Sequence, residues 1–233
     1  MFYFDPVYFW FIAPAVLLAM WAQFRMHSTY ARAQQLPAPL SGAAAARHIL
    51  DSAGLMDVQV EEIPGQLSDH YDPRAKVLRL SQDVYESRTL AAVGIAAHES
   101  GHAIQDAHGY APLMVRNAAV PAASIGTYVS IPLIILGALL SVKVPFGAML
   151  VWLGIGLFGA VVMFQVINLP VEFNASARAK RQLVGLGIVN DEELTYVSRV
   201  LNAAALTYVA ATLQAILTLL YYVMRFTGGS NRH

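Results

Sequence analysis

The chain has 233 residues, of which 57% are hydrophobic and only 13% charged. Soluble domains carry about 25% charged residues, so this composition is that of a membrane protein. The formal net charge of zero argues against a nucleic-acid-binding surface, and the absence of cysteine excludes disulfides and thiolate metal ligands. His, Asp and Glu are left as the strong metal-binding side chains, in a chain that fits a reducing compartment.

Residues 7–24 form an apolar run with Trp10 and Trp21 near its ends, long enough to cross a bilayer and flanked by the interfacial aromatics Tyr3 and Tyr8. A secretory signal would carry a basic start and a small-residue cleavage site. Here the start is Met-Phe-Tyr-Phe-Asp-Pro, and Arg25 and Arg32 follow the run. The reading is a retained first span (1–24) with its N-terminus outside.

From 25 to 117 the chain is polar enough for an extramembrane domain. Leu40-Ser41-Gly42 before an alanine run predicts a capped helix stopped at Gly54. Val58-Gln59-Val60-Glu61 alternates as a strand does, and Pro64-Gly65 marks a turn. Residues 69–74 read as a second turn cluster and Val77-Leu78-Arg79-Leu80 as a second strand, with Ser81 placed to cap a helix start. The 77–80 segment is expected as an edge strand, open to an extended chain pairing with it as an added strand.

A helix is expected from about Ser87 onward, and it carries Ala96-Ala97-His98-Glu99-Ser100-Gly101-His102-Ala103. Residues four apart share a helix face, so His98 and His102 can offer two ring nitrogens to one zinc ion at about 2.0–2.1 Å each. Glu99 lies about 100° round the helix, beside the metal and outside its ligands, where it can serve as general base toward a zinc-activated water. Two solvated histidines and a glutamate on a helix surface would give the same letters. The small residues around them instead suit a helix closely covered by other chain.

Three further apolar stretches follow, at 118–142, 146–169 and 201–224, each long enough to span about 30 Å at 1.5 Å per residue. Lys143-Val144-Pro145 leaves room only for a tight hairpin between two of them. Segments 25–117 and 171–200 hold twelve of the fifteen Lys and Arg residues, against Lys143, Arg225 and Arg232 on the other side. This positive-inside bias puts the polar segments, 25–117 and 170–200, in the cytoplasm and both termini outside.

A catalytic zinc needs a third protein ligand, and two candidates stand. His108 lies six residues past His102, the spacing of a three-histidine site. That arrangement uses a glycine to turn the chain back on the metal, where this sequence has Gln105. His108 would equally suit a helix end beside Gly109. Glu172 follows the third span, in a chain with few acidic residues close to one, and could otherwise be a first-turn carboxylate of the next helix. His70, Tyr71, Tyr110 and Arg178 are available as oxyanion donors, without a signature that selects one.

The segments 97–105 (A-H-E-S-G-H-A-I-Q) and 169–176 (L-P-V-E-F-N-A-S), with Asp69-His70-Tyr71-Asp72-Pro73, Leu80-Ser81 and Val84-Tyr85, resemble the YugP-type family of bacterial membrane zinc peptidases. The likeness runs from about residue 1 to 224. It implies a zinc metalloendopeptidase with His98, His102 and Glu172 as ligands of one Zn2+ per chain and Glu99 as catalytic base. A broader likeness to gluzincin peptidases departs at Ser176, where those place an aspartate that orients a ligand histidine; the hydroxyl could still accept from the ring without charge, and either Asn174, Asp106 or another carboxylate substitutes or the site holds its metal more weakly.

The expected architecture is mainly α, with about four transmembrane helices and a small α+β, zincin-like cytoplasmic metallopeptidase domain. The expected location is the bacterial inner membrane, as a multi-pass protein. Expected partners are the lipid bilayer and a protein or peptide substrate, drawn from membrane-associated or misfolded proteins, with no nucleic acid. An intramembrane protease is disfavoured, because only eight apolar residues (90–97) precede His98. The alternative from another class is a non-catalytic membrane scaffold or assembly factor with a structural metal.

Overall fold

A computed structural model of the chain describes residues 6–66, 68–141 and 144–228. Tyr3, Lys143 and Arg232, invoked above for the interface and the charge bias, lie outside the described residues. Among the described residues, four helices are long and apolar enough to cross a membrane: α1 (Pro6–Gln34), α5 (Ala111–Ser141), α6 (Phe146–Gly185) and α7 (Asp191–Gly228). Between the first two come α2 (Gly42–Ser52), β1 (Gln59–Ile63), β2 (His70–Asp72), β3 (Val77–Ser81), α3 (Gln82–Glu86) and α4 (Leu90–Ala107). The helices run past the apolar stretches: α1 continues to Gln34, and α6 continues unbroken beyond Glu172.

The chain divides into two units. The first holds residues 1–21, 115–169 and 208–233. Its core is Ile134, Val151 and Ile155, joined by Leu219, Tyr222 and Val223. α5 and α6 form a tight hairpin, with Val144 N–H donating to Leu140 O and Gly147 N–H to Val144 O. Their backbones approach closely: a Cβ at Gly137 would lie 2.6 Å from Val151 N, and one at Gly154 would lie 2.8 Å from Ser130 O. Small residues permit this approach, which is how helices associate where lipid removes the hydrophobic drive.

The second unit holds residues 22–114 and 170–207. Its sheet has the order β1-β3-β2, with β1 parallel and β2 antiparallel to β3. Two sequence expectations change here. Residues 70–72, read as turn, are a strand paired with 77–79, and only the positions after Asp72 turn. Val77–Ser81 is the middle strand, so it has no free edge for an incoming peptide; the edges are β1 and β2. Its burial, four buried residues of five, is that of a strand covered on both sides.

Ser41 caps α2, its hydroxyl accepting from Ala44 N–H at 3.2 Å. Ser81 makes no such cap bond; its hydroxyl donates to Asp69 instead. α4 starts at Leu90 rather than near Ser87, because Thr89 is the N-cap, with its side chain accepting from Ala92 N–H. Ahead of it the chain is held to the segment leaving α1: Ala38 N–H donates to Arg88 O and Leu90 N–H to Leu36 O, both at 2.9 Å. Two apolar clusters clasp α4. Ala91, Val93, Ala97 and Ile104 meet Ala33, Ile49, Leu183, Val197 and Val200, while Ala92, Ala96 and Ala103 meet Leu50, Leu78, Leu80 and Val84. Cover on both faces explains the alanines and glycines around the histidines, since larger side chains would overpack it.

Candidate metal centre

The helix register brings His98 and His102 onto one face of α4, ring centroids 4.8 Å apart and nearly perpendicular. Across from them α6 presents Glu172. Its Oε2 lies 3.2 Å from His98 Nε2 and 3.7 Å from His102 Nε2. The crossing is close because position 101 is glycine: a Cβ there would lie 2.6 Å from the carbonyl oxygen of Ala175. Glu172 stands mid-helix, 5% exposed, so it caps no first turn.

These three side chains offer ligand atoms within 4.8 Å of one another, the one such group among the described residues. Tetrahedral zinc bonded at 2.0–2.1 Å keeps neighbouring donors about 3.3–3.4 Å apart, so the observed separations fit the ion. The electrostatics point the same way. Burial alone would lift the Glu172 carboxyl, but the adjacent rings of His102 and His98, the latter in hydrogen-bond reach, outweigh it and hold the group well below the usual range. Burial alone would depress His102, yet the Glu172 carboxylate 3.7 Å away and the charge of Glu99 raise it. The cluster therefore draws in positive charge, as protons or as one metal ion.

Glu99 is half-buried on the same turn. Burial raises its carboxyl above the ordinary value, opposed by His102 and His98. A raised carboxylate is the better proton acceptor.

The outer ring nitrogens are both engaged. His98 Nδ1 lies 3.1 Å from Ser176 Oγ, so the serine itself stands at the orienting position and neither Asn174 nor Asp106 takes its place. His102 Nδ1 lies 2.9 Å from Oε1 of Gln105, a fully buried residue. In the sequence Gln105 stands where a three-histidine site has glycine and closes the 97–105 segment of the family likeness, with no role of its own. Its spacing of three from His102 on a helix was the available signal.

The remaining candidates sit elsewhere. His108 is the C-cap of α4, with Gly109 at φ +60° beyond it, and its Nδ1 accepts from Arg178 at 3.1 Å. It is not in the three-residue group. Tyr71 donates to Asp106 at 3.0 Å, which ties β2 to α4. Tyr110 reaches Pro170 O, Arg178 donates to Asn174, and His70 is exposed.

The chain belongs to a family of zinc metallopeptidases, the one described as "Putative neutral zinc metallopeptidase", whose profile matches residues 8–227. It is 44% identical over 229 residues to a Bacillus subtilis (strain 168) protein named "Putative membrane protease YugP", covering 97% of this chain and 99% of that one. No solved structure gives a significant match. Family and relative together support a protease role and association with a membrane.

Proposed function

We propose that this chain is a membrane-embedded zinc endopeptidase that hydrolyses peptide bonds of membrane-associated or misfolded proteins. The observation that carries the reading is the convergence of His98 Nε2, His102 Nε2 and Glu172 Oε2 beside the half-buried Glu99. His98, His102 and Glu172 would hold one zinc ion. Bound there, zinc supplies a Lewis acid that polarises the scissile carbonyl and makes water easier to deprotonate.

The chain's own groups do the rest. Glu99 accepts a proton from the attacking water at its carboxylate and passes it to the leaving amide nitrogen, so one side chain acts first as base and then as acid. Its raised proton affinity suits both halves of that transfer. Ser176 and Gln105 hold the histidine rings from behind. The peptidase domain is assigned to residues 25–117 and 170–200, zincin-like in placing a small sheet beside the H-E-x-x-H helix. The charge bias assigns it to the cytoplasmic side of the cell membrane.

The test is zinc content, with cleavage of an unfolded casein-like substrate, for wild type, Glu99→Gln, Glu172→Ala and His108→Ala. The expected result is about one zinc per chain in all but Glu172→Ala. Cleavage is expected only in wild type and His108→Ala. Cleavage by Glu99→Gln would refute the mechanism. Zinc kept in Glu172→Ala but lost in His108→Ala would refute the ligand set. Wild type that binds zinc without cutting would favour a scaffold with a structural metal.

A further inference from the structure

We propose that Gln105 is a positioning residue that fixes the ring of His102 for metal binding by tying it to the α6 backbone one residue before Glu172. The identity of the ion rests on the peptidase reading above; the hydrogen-bond logic does not.

A primary amide has one acceptor oxygen and one donor nitrogen, and burial makes each unmade bond costly. Gln105 is 0% exposed. Its amide faces the backbone carbonyl of Val171 at 2.8 Å, and a carbonyl only accepts. The group turned toward Val171 must therefore be Nε2, which also donates to Asn174 Oδ1 at 3.1 Å. That leaves Oε1 toward His102 Nδ1, 2.9 Å away, and Oε1 only accepts. His102 Nδ1 must then carry the proton. In the neutral ring Nε2 is left with its lone pair, on the side where Glu172 stands.

The arrangement has no free choice in it. Asn174 Oδ1 is held in turn by Arg178 Nε at 2.7 Å, so its own amide cannot flip without losing both donors. Gln105 thus turns a backbone carbonyl, fixed by the helix, into an acceptor for a ligand ring. The same amide couples the two helices that supply the ligands: His102 lies on α4, and Val171 adjoins Glu172 on α6.

The experiment is titration of the full-length, metal-stripped protein in detergent with zinc alone, alongside apo thermal unfolding and 15N chemical shifts of the His102 ring. Gln105→Leu removes the acceptor and is expected to weaken zinc by about 10–100-fold and to lose the fixed ring proton. Gln105→Glu restores an acceptor for Nδ1 and is expected to bind zinc within a few-fold of wild type. Its apo unfolding temperature is expected to fall as far as that of Gln105→Leu. Equal zinc affinity in all three proteins overturns the proposal and leaves the peptidase reading standing. So does a loss in both variants that simply follows their unfolding temperatures. Wild type without zinc overturns the peptidase reading; the ring shifts then decide the positioning claim, which stands only if His102 carries its proton on Nδ1 in wild type and not in Gln105→Leu. If Gln105→Leu does not fold, Asn174→Ala takes its place, with a few-fold weakening expected and unchanged affinity overturning the proposal.

Discussion

Gly101→Ala tests whether the approach of α4 to α6 is what assembles the metal centre. The added Cβ would lie 2.6 Å from Ala175 O and 3.2 Å from Ala175 Cα, against 3.4 Å for ordinary van der Waals contact. Both contacts are to backbone, so no side chain can swing away. The two helices must separate locally by about 0.8 Å, the difference between 3.4 Å and 2.6 Å. Both His–Glu separations cross this gap, from α4 to α6, and stand at 3.2 and 3.7 Å. Adding the displacement takes them to roughly 4.0 and 4.5 Å, moving both well beyond the 3.3–3.4 Å of donors on tetrahedral zinc, which the undisturbed pair straddles. Overpacking of this kind costs about 1–3 kcal/mol of stability. Zinc affinity is expected to fall at least as far as on loss of a ring-orienting partner, about 10–100-fold. Competition against a chelator measures the first, and thermal unfolding of the metal-free protein measures the stability. Wild-type zinc affinity with an unchanged unfolding temperature would refute the close-crossing argument.

Ser176→Ala removes the partner of His98 Nδ1 and is expected to weaken zinc about tenfold, whereas Ser176→Asp supplies a charged acceptor and is expected to tighten it; chelator competition separates the two, and identical affinities would show that the contact is idle. The hairpin between β2 and β3 should carry an acid-side signature. Asp72 accepts from Arg79 at 2.8 Å and from the backbone N–H groups of Ala75 and Arg74, which lowers its carboxyl from 3.8 to about 2. A depressed carboxyl stabilises the fold above its unfolded value and loses that contribution as pH falls through the folded one. The expected loss therefore lies between about pH 4 and pH 2, and Asp72→Asn should flatten the unfolding temperature across that window. An unchanged slope would mean that the Arg79 pair adds nothing.

Several elements were readable because their determinants are local. The cap at Ser41 and the H-E-x-x-H helix follow from residues within one or two turns, and the apolar lengths of the spans need no tertiary information. β2 was not readable, since three residues are too few for alternation to register and Asp69, Asp72 and Pro73 around Tyr71 carry turn signals; pairing with 77–79 makes it a strand. The rank of β3 within the sheet is a long-range fact too, although Val-Leu-Arg-Leu-Ser is more continuously apolar than Gln-Val-Glu-Glu-Ile, as a middle strand should be. In the sequence Gln105, standing where a glycine would turn the chain, counts against His108, while the scarcity of acidic residues near a span and the family likeness favour Glu172. The spatial grouping leaves His108 out because α4 ends on it and the chain then turns away at Gly109. Gln105 shows the other limit: its spacing was visible, but its orientation depends on a carbonyl 66 residues away.

The pair of backbone bonds between 36–38 and 88–90 has a consequence for chain topology. It makes α2, the sheet and α3 a closed excursion of about 50 residues whose ends meet where α4 begins. Closing a loop of that length costs roughly 3.5 kcal/mol of chain entropy before constant terms. The start of the histidine-bearing helix is thus fixed by a contact distant in sequence, and its first turn cannot reach its final setting until that closure is made. Once made, the closure rests on main-chain groups and on the Arg88 guanidinium, which donates to Pro39 O, so the tips of the excursion can vary in length and sequence without moving what its ends hold.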